Sequence, residues 1–228
     1  MRKIVLLVVA TAFSMNLLAR DVKITVSPSE AKIYVDGNYV ADGMTVASLK
    51  KKDGFLVLKF EKEGYVTLET KIFAEDKRKA VSFVLKRDTF YDNSTISGNA
   101  NKFFSQEISD KFMKNAKDEK EASILVWKMI HQIILNYFDE IENSDQLSGF
   151  IQTPWMYKSF GEANLQVRTR VTVKESNIGG KLTYKIKVSS EVASLNSTHR
   201  DENFQETTRL LKEFEPMISE FQSRLGNL

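Results

Sequence analysis

The 228 residues contain no cysteine. That excludes disulfides, cysteine-ligated metal sites and lipid attachment at a cysteine. Histidine is scarce as well, with two in the chain, so nucleophilic and metal chemistry have few participants. No glycine-rich phosphate loop or dinucleotide fingerprint occurs, and Gly179-Gly180 reads as a hairpin turn. Charge is not concentrated. Residues 20–87 carry 14 Lys and Arg against 10 Asp and Glu, and residues 88–228 carry 17 against 20. A dedicated nucleic-acid binder would show a basic footprint, so none is expected.

One long apolar run is present, at the start. Arg2 and Lys3 precede Ile4 to Ala12, and a softer stretch ends in Leu17, Leu18 and Ala19. A short basic region, an apolar core and a small residue before polar sequence are the marks of a secretory leader. Residues 1–19 are therefore predicted to be a signal peptide cleaved after Ala19. The alternative is a retained anchor, but a span needs about 20 apolar residues, and Ser14 and Asn16 interrupt this run. No transmembrane span is expected in the mature chain. Without disulfides it holds together by burial, and about 210 residues suffice for one large core or two modest ones.

Residues 22–87 read as strands, within a domain expected over 20–87. Val22, Ile24 and Val26 alternate with Lys23 and Thr25, Ile33 and Val35 alternate with Tyr34, and Phe55–Phe60, Tyr65–Phe73 and Ala80–Leu85 continue the theme. Asp36-Gly37-Asn38, Asp42-Gly43, Asp53-Gly54 and Glu63-Gly64 supply turns. Short strands with a turn every eight to twelve residues or so predict a small β-sandwich.

The run from Val26-Ser27-Pro28-Ser29-Glu30-Ala31 through Tyr34-Val35-Asp36-Gly37, then Gly43-Met44-Thr45 and Lys62-Glu63-Gly64-Tyr65, resembles a PEGA domain. Glu30 stands where that family often has Gly, and Val46 where Pro is common. Both are turn-level departures. The resemblance implies an exported or surface-associated β module without catalytic residues, commonly appended to larger envelope proteins.

Residues 88–102 are polar, with Asp88, Asp92, Asn93, Ser94, Ser97, Gly98, Asn99 and Asn101. They are predicted to be a linker or else a long loop inside one fused domain. From 103 to 228 an α+β domain is expected, with a three-stranded antiparallel sheet packed against helices. Phe104, Ile108 and Phe112 fall at a helical spacing, and Glu121–Ile141 carries a wide apolar stripe that includes Ile124, Trp127, His131, Ile134 and Phe138. Strands are expected near 150–160, 163–175 and 181–194. A last helix over 201–225 has Phe204, Leu211, Ile218 and Leu225 seven apart, with Pro216 kinking it.

Candidate sites are few. His131 lies on an apolar stripe without a partner ligand at i+3 or i+4 and is read as packing. His199 has Ser, Thr and Asp neighbours, but adjacency in sequence does not make a triad. Asp201 is explained as an N-terminal helix residue. The outward positions of two strands are more informative. Arg168, Arg170 and Lys174 alternate with core residues on one, and Lys181, Lys185 and Lys187 on the next. Paired, they make a ladder of like charges that repel, so an anionic partner is one reading and a solvated face protected from aggregation the other. Trp155 and Tyr157 are candidate aromatic grips for a sugar or partner chain, with core burial as the alternative. Tyr34, Tyr39 and Tyr65 carry the same ambiguity.

The sequence thus predicts an exported, non-catalytic binding or assembly component of the bacterial envelope, periplasmic or at the cell surface, recognising a protein or glycan, with no cofactor or metal. A hydrolase using paired carboxylates and a polyanion-binding structural subunit of the periplasm are the alternatives.

Overall fold

A computed structural model describes residues 19–50, 53–177 and 181–226. The predicted leader, apart from its last residue, and the expected turn at 178–180 lie outside them. The protein is mostly β, with several sheets and a few helices. It divides after Arg87 into two compact units.

The N-terminal unit contains β1 (Ala19–Ser27), β2 (Lys32–Val35), β3 (Asn38–Asp42), β4 (Met44–Lys50), β5 (Phe55–Glu61), β6 (Leu68–Phe73) and β7 (Ala80–Val84). One sheet has the order β4-β1-β7 and the other β3-β2-β5-β6. Period-two alternation decides what each strand buries. Val22, Ile24, Ile33, Leu58 and Phe60 are sealed in a single core to which both sheets contribute. Full burial of each such side chain contributes about 1.5–3 kcal/mol. Two turns set the path between strands. Asp36 and Gly37 both have positive φ (48° and 83°), which a two-residue hairpin of matching twist requires. Gly43 also has positive φ (66°), and a Cβ there would stand 2.2 Å from the carbonyl oxygen of Ser29.

The C-terminal unit contains α1 (Thr89–Asp92), β8 (Ser94–Ile96), β9 (Phe103–Glu107), α2 (Lys111–Lys114), α3 (Glu119–Leu135), β10 (Asn143–Asp145), β11 (Phe150–Gln152), β12 (Met156–Phe160), β13 (Leu165–Glu175), β14 (Thr183–Ser194), β15 (Gln205–Glu206), β16 (Arg209–Leu211) and α4 (Glu215–Leu225). Its principal sheet has seven strands, more than the three predicted. The long β13 and β14 form a spine, with β11 and β12 both pairing to β13 and β9 and β15 both to β14, all antiparallel. Helices α3 and α4 supply Val126, Ile130, Ile133, Met217 and Phe221 to one core with Val167, Val171, Val173, Ile186 and Val188. The Asp118 carboxylate caps α3 by accepting from the Glu121 N–H at 2.8 Å.

Four expectations are corrected. Residues 88–102 are not a linker but part of this unit. Asp88 caps α1, the Phe90 ring meets Phe160 at 5.4 Å, and β8 pairs with β16. Asn101 donates to the carbonyls of Ser190 and Thr207, each at 2.8 Å, and accepts from the Ser190 N–H. The Asp, Asn and Ser that looked like solvated linker are caps and backbone partners. Residues 103–107 are strand rather than helix: Phe104 points toward the core from β9, Phe112 reaches the same core from the one-turn α2, and their spacing is coincidental. The predicted 201–225 helix is a short 3-10 turn at Asp201–Asn203, two short strands and then α4. Pro216 sits at the start of α4 rather than inside a helix, where its missing N–H costs nothing. Helix α3 also ends at Leu135, six residues before the predicted end at Ile141, and Phe138 beyond it stacks on Phe214 with centroids 5.2 Å apart.

Candidate functional site

The helices cover one face of the seven-stranded sheet, and the other is built from the alternate positions of β13 and β14. Register sets its layout. Lys174 lies between Phe150 of β11 and Lys185 of β14, and Lys185 lies next to Ser105 of β9. One row further, Gln152, Thr172, Lys187 and Phe103 are neighbours in that order. Arg170 and Ser189 begin the next row.

Arg168 and Arg170 are two residues apart on the same face, yet they end differently. Arg168 is 3% exposed. Its Nε donates to Glu191 at 2.8 Å and its Nη1 to Asp201 at 2.6 Å. Its guanidinium lies 4.1 Å from the centroids of both Trp155 and Phe204. Burial pulls this guanidinium's pKa down, but hydrogen bonds with Asp201, Glu191 and Tyr157 outweigh it and hold the pKa above its ordinary value. Arg170 lies 4.1 Å from Trp155. Residues i and i+2 are about 6.8 Å apart along a strand, so the Trp155 ring fits between the two arginines. Arg170 Nε is buried without a hydrogen-bond partner, and its side chain makes no ion pair among the described residues.

The predicted site residues therefore separate into two groups. Arg168 is not part of an open ladder, because Glu191 and Asp201 neutralise it inside a stack. Lys181 precedes the first residue of β14 and donates to Glu107 at 2.6 Å. Trp155 is half-buried as the spacer between guanidinium groups, and Tyr157 is 38% exposed with its ring 4.0 Å from that of His199. Arg170, Lys174, Lys185 and Lys187 are brought together. Lys174 and Lys185 face each other directly, a like-charge pair that costs free energy when uncompensated. Lys187 Nζ is 3.8 Å from Glu206.

Sequence reasoning missed Glu191, Asp201 and Phe204 as neighbours of Arg168. Asp201 belongs to a 3-10 turn and not to the last helix. The alternation of β14 places Glu191 on the cation-bearing face, and this was the available signal. His199 shares a hydrogen bond between Nε2 and Gln166 Oε1 at 3.1 Å. His131 is likewise engaged, through Nδ1 with the Trp127 carbonyl and Nε2 with Ser144 Oγ, both at 2.8 Å.

Elsewhere in the unit a cavity of ≈ 480 Å³ is lined by four carboxylates, Glu107, Asp110, Glu119 and Glu175. Glu107 is held by Lys181, and Glu175 accepts from Asn177 Nδ2 at 2.8 Å and the Tyr184 hydroxyl at 3.4 Å. Burial, then the Glu175 charge, pushes the Tyr184 phenol up. Among the described residues no group of three or more His, Cys, Asp or Glu is arranged to hold a metal ion.

Two β-rich units, the second with helices on one sheet face, define the class of protein. Residues 20–88 match the PEGA domain family, which accounts for the N-terminal unit. No curated protein matches the chain. Among solved structures, a protein of unknown function from Bacteroides fragilis, provisionally described as membrane-associated, is similar at 9% identity. The match covers 76% of this chain and 96% of that one, with a TM-score of 0.27. A likeness at that score carries no weight for fold or function. No helix among the described residues is long and apolar enough to cross a membrane.

Proposed function

We infer that this protein is an exported, non-catalytic binding or assembly component of the bacterial cell envelope, located in the periplasm or at the cell surface. The N-terminal unit is read as a small β-sandwich that places the C-terminal unit in that compartment, and the C-terminal unit carries the binding surface. The leader pattern of Arg2 to Ala19 and the PEGA match at 20–88 support the location. One observation carries the binding role. Helices pack on a single face of the seven-stranded sheet, and the opposite face keeps Arg170, Lys174 and Lys185 without a carboxylate partner among the described residues. Adjacent uncompensated cations lower stability, and a partner that neutralises them offsets that cost.

The test is capture of partners from an envelope extract split into protein and polysaccharide fractions, with an Arg170→Gln/Lys174→Gln/Lys185→Gln variant alongside. Retention that falls with salt and is lost in the variant is the expected result, because surface electrostatics weaken with ionic strength. Equal retention by the variant would move the binding role away from this face. No retention from either fraction would leave the carboxylate-lined cavity, and with it a hydrolase, as the stronger reading.

A further inference from the structure

The spacing and surroundings of the uncompensated cations narrow the kind of partner, given the binding role inferred above for this face. Neighbouring strands are about 4.8 Å apart and alternate residues about 6.8 Å. The rows Phe150, Lys174, Lys185, Ser105 and Gln152, Thr172, Lys187, Phe103 therefore span about 14 Å across the sheet, with Arg170 one row further along. The carboxylates on the same face lie at its margins: Glu191 is held by Arg168, Glu107 by Lys181, Glu206 lies 3.8 Å from Lys187, and Asp145, across from Phe150 on β10, accepts from the Leu147 N–H. The centre of the face is thus positive and its carboxylates are confined to the rim. Two phenyl rings flank that centre, Phe103 at 45% exposure and the half-buried Phe150, with Lys174 Nζ at 5.7 and 5.9 Å from their centroids.

Position within the sheet decides between kinds of anionic chain. An extended peptide gains most of its affinity at a sheet through main-chain hydrogen bonds to a free edge. Here β13 is paired on both sides by β11 and β14, and β14 on both sides by β13 and β9. No edge is offered at these residues, so recognition proceeds through side chains alone. Cations for acidic groups, phenyl faces for the apolar faces of rings, and the Ser105 and Gln152 side chains for hydroxyls make one set of contacts.

We propose that Arg170, Lys174 and Lys185, flanked by Phe103 and Phe150, bind an acidic polysaccharide laid across the face of the sheet. The sugar carboxylates lie on the cations, and the rings lie against the phenyl groups. Charge supplies attraction, and the aromatic flanks distinguish a glycan from other polyanions.

The experiment is affinity electrophoresis of the full chain in gels containing polygalacturonate, neutral dextran or poly-L-glutamate. Polygalacturonate is expected to retard the protein in a salt-sensitive way, poly-L-glutamate to retard it less, and dextran not at all. Lys174→Gln/Lys185→Gln should weaken polygalacturonate binding about tenfold or more, and Lys174→Arg/Lys185→Arg should retain it. Phe103→Ala should weaken binding to polygalacturonate and leave poly-L-glutamate unchanged. Circular dichroism of each variant separates lost binding from lost fold. Equal binding of the two polyanions with no effect of Phe103→Ala would overturn the glycan assignment. If neither polymer is bound while the envelope extract still yields a partner that the Arg170→Gln/Lys174→Gln/Lys185→Gln variant loses, the acidic polysaccharide is wrong and the binding face stands. Failure of both experiments removes both.

Discussion

Arg168 shows how far one side chain's role departs from its place in a pattern. It is enclosed by Trp155 and Phe204 and paired with Glu191 and Asp201. Removing the guanidinium leaves two carboxylates without their cation, Phe204 without its stacking partner and Trp155 with Arg170 alone. Arg168→Ala is expected to destabilise the C-terminal unit by about 3 kcal/mol, toward the lower end of what a broken buried pair costs because Asp201 is largely solvated. Arg168→Lys should lose about half of that, since an ammonium restores charge but neither the planar stack nor the forked hydrogen bonds. Urea unfolding measures both. A loss for Arg168→Ala below about 0.5 kcal/mol would place the pair with ordinary surface ion pairs and dismiss the stack as a stabilising device. Arg170, two residues on, has the same side chain and the same ring beside it but no acid, and is therefore assigned to binding.

Among the elements, α4 separates two readings of one proline. A proline inside a helix removes a hydrogen bond and clashes with the preceding turn, so replacing it should stabilise by about 3 kcal/mol. At the start of a helix the N–H has no intrahelical acceptor, and Pro216 occupies such a position. Pro216→Ala is thus expected to change stability by less than about 1 kcal/mol, as read from the urea midpoint. A gain near 3 kcal/mol would restore the continuous, kinked helix. The seven-residue spacing of Phe204, Leu211, Ile218 and Leu225 failed as a helix signal for a related reason. Phe204 and Leu211 are buried in non-helical segments, and only Ile218 and Leu225 share α4. Helix α3 was legible because its stripe is wide and its Asp118 cap lies at the start. Strand β9 was not, because five residues beside a polar stretch carry little periodicity of their own. Its hydrogen bonds come from β14.

On the scale of the whole molecule, the division after Arg87 assigns residues 88–102 to the second unit. A fragment of residues 88–228 is expected to unfold in one cooperative urea transition. A fragment of residues 103–228 lacks Phe90, Ala100 and the β8 partner of β16 and should unfold at a markedly lower midpoint or without cooperativity. Equal midpoints for the two fragments would return the segment to the status of a linker. The same scale explains the sheet. Three strands were read from the sequence; the one near 150–160 is two, β11 and β12, and the unread β9, β10 and β15, each five residues or shorter, gain their order by pairing with a spine of 11 and 12 residues or, for β10, with β11.

Some properties followed from the order of residues alone: the leader pattern, the strand and turn grammar of the N-terminal unit with its PEGA resemblance, the wide stripe of α3 and the alternation that sends cations to one face of β13 and β14. Each depends on backbone geometry within a few residues, where periods of two and 3.6 and the φ preference of glycine act. Which cations stay free was decided by tertiary structure. Arg168 and Arg170 are alike in sequence, and their difference comes from Glu191, Asp201 and Phe204, between 23 and 36 residues beyond Arg168. Register and loop closure bring those groups to one arginine and not the other. Ion pairing depends on distance in space, which a local pattern does not specify.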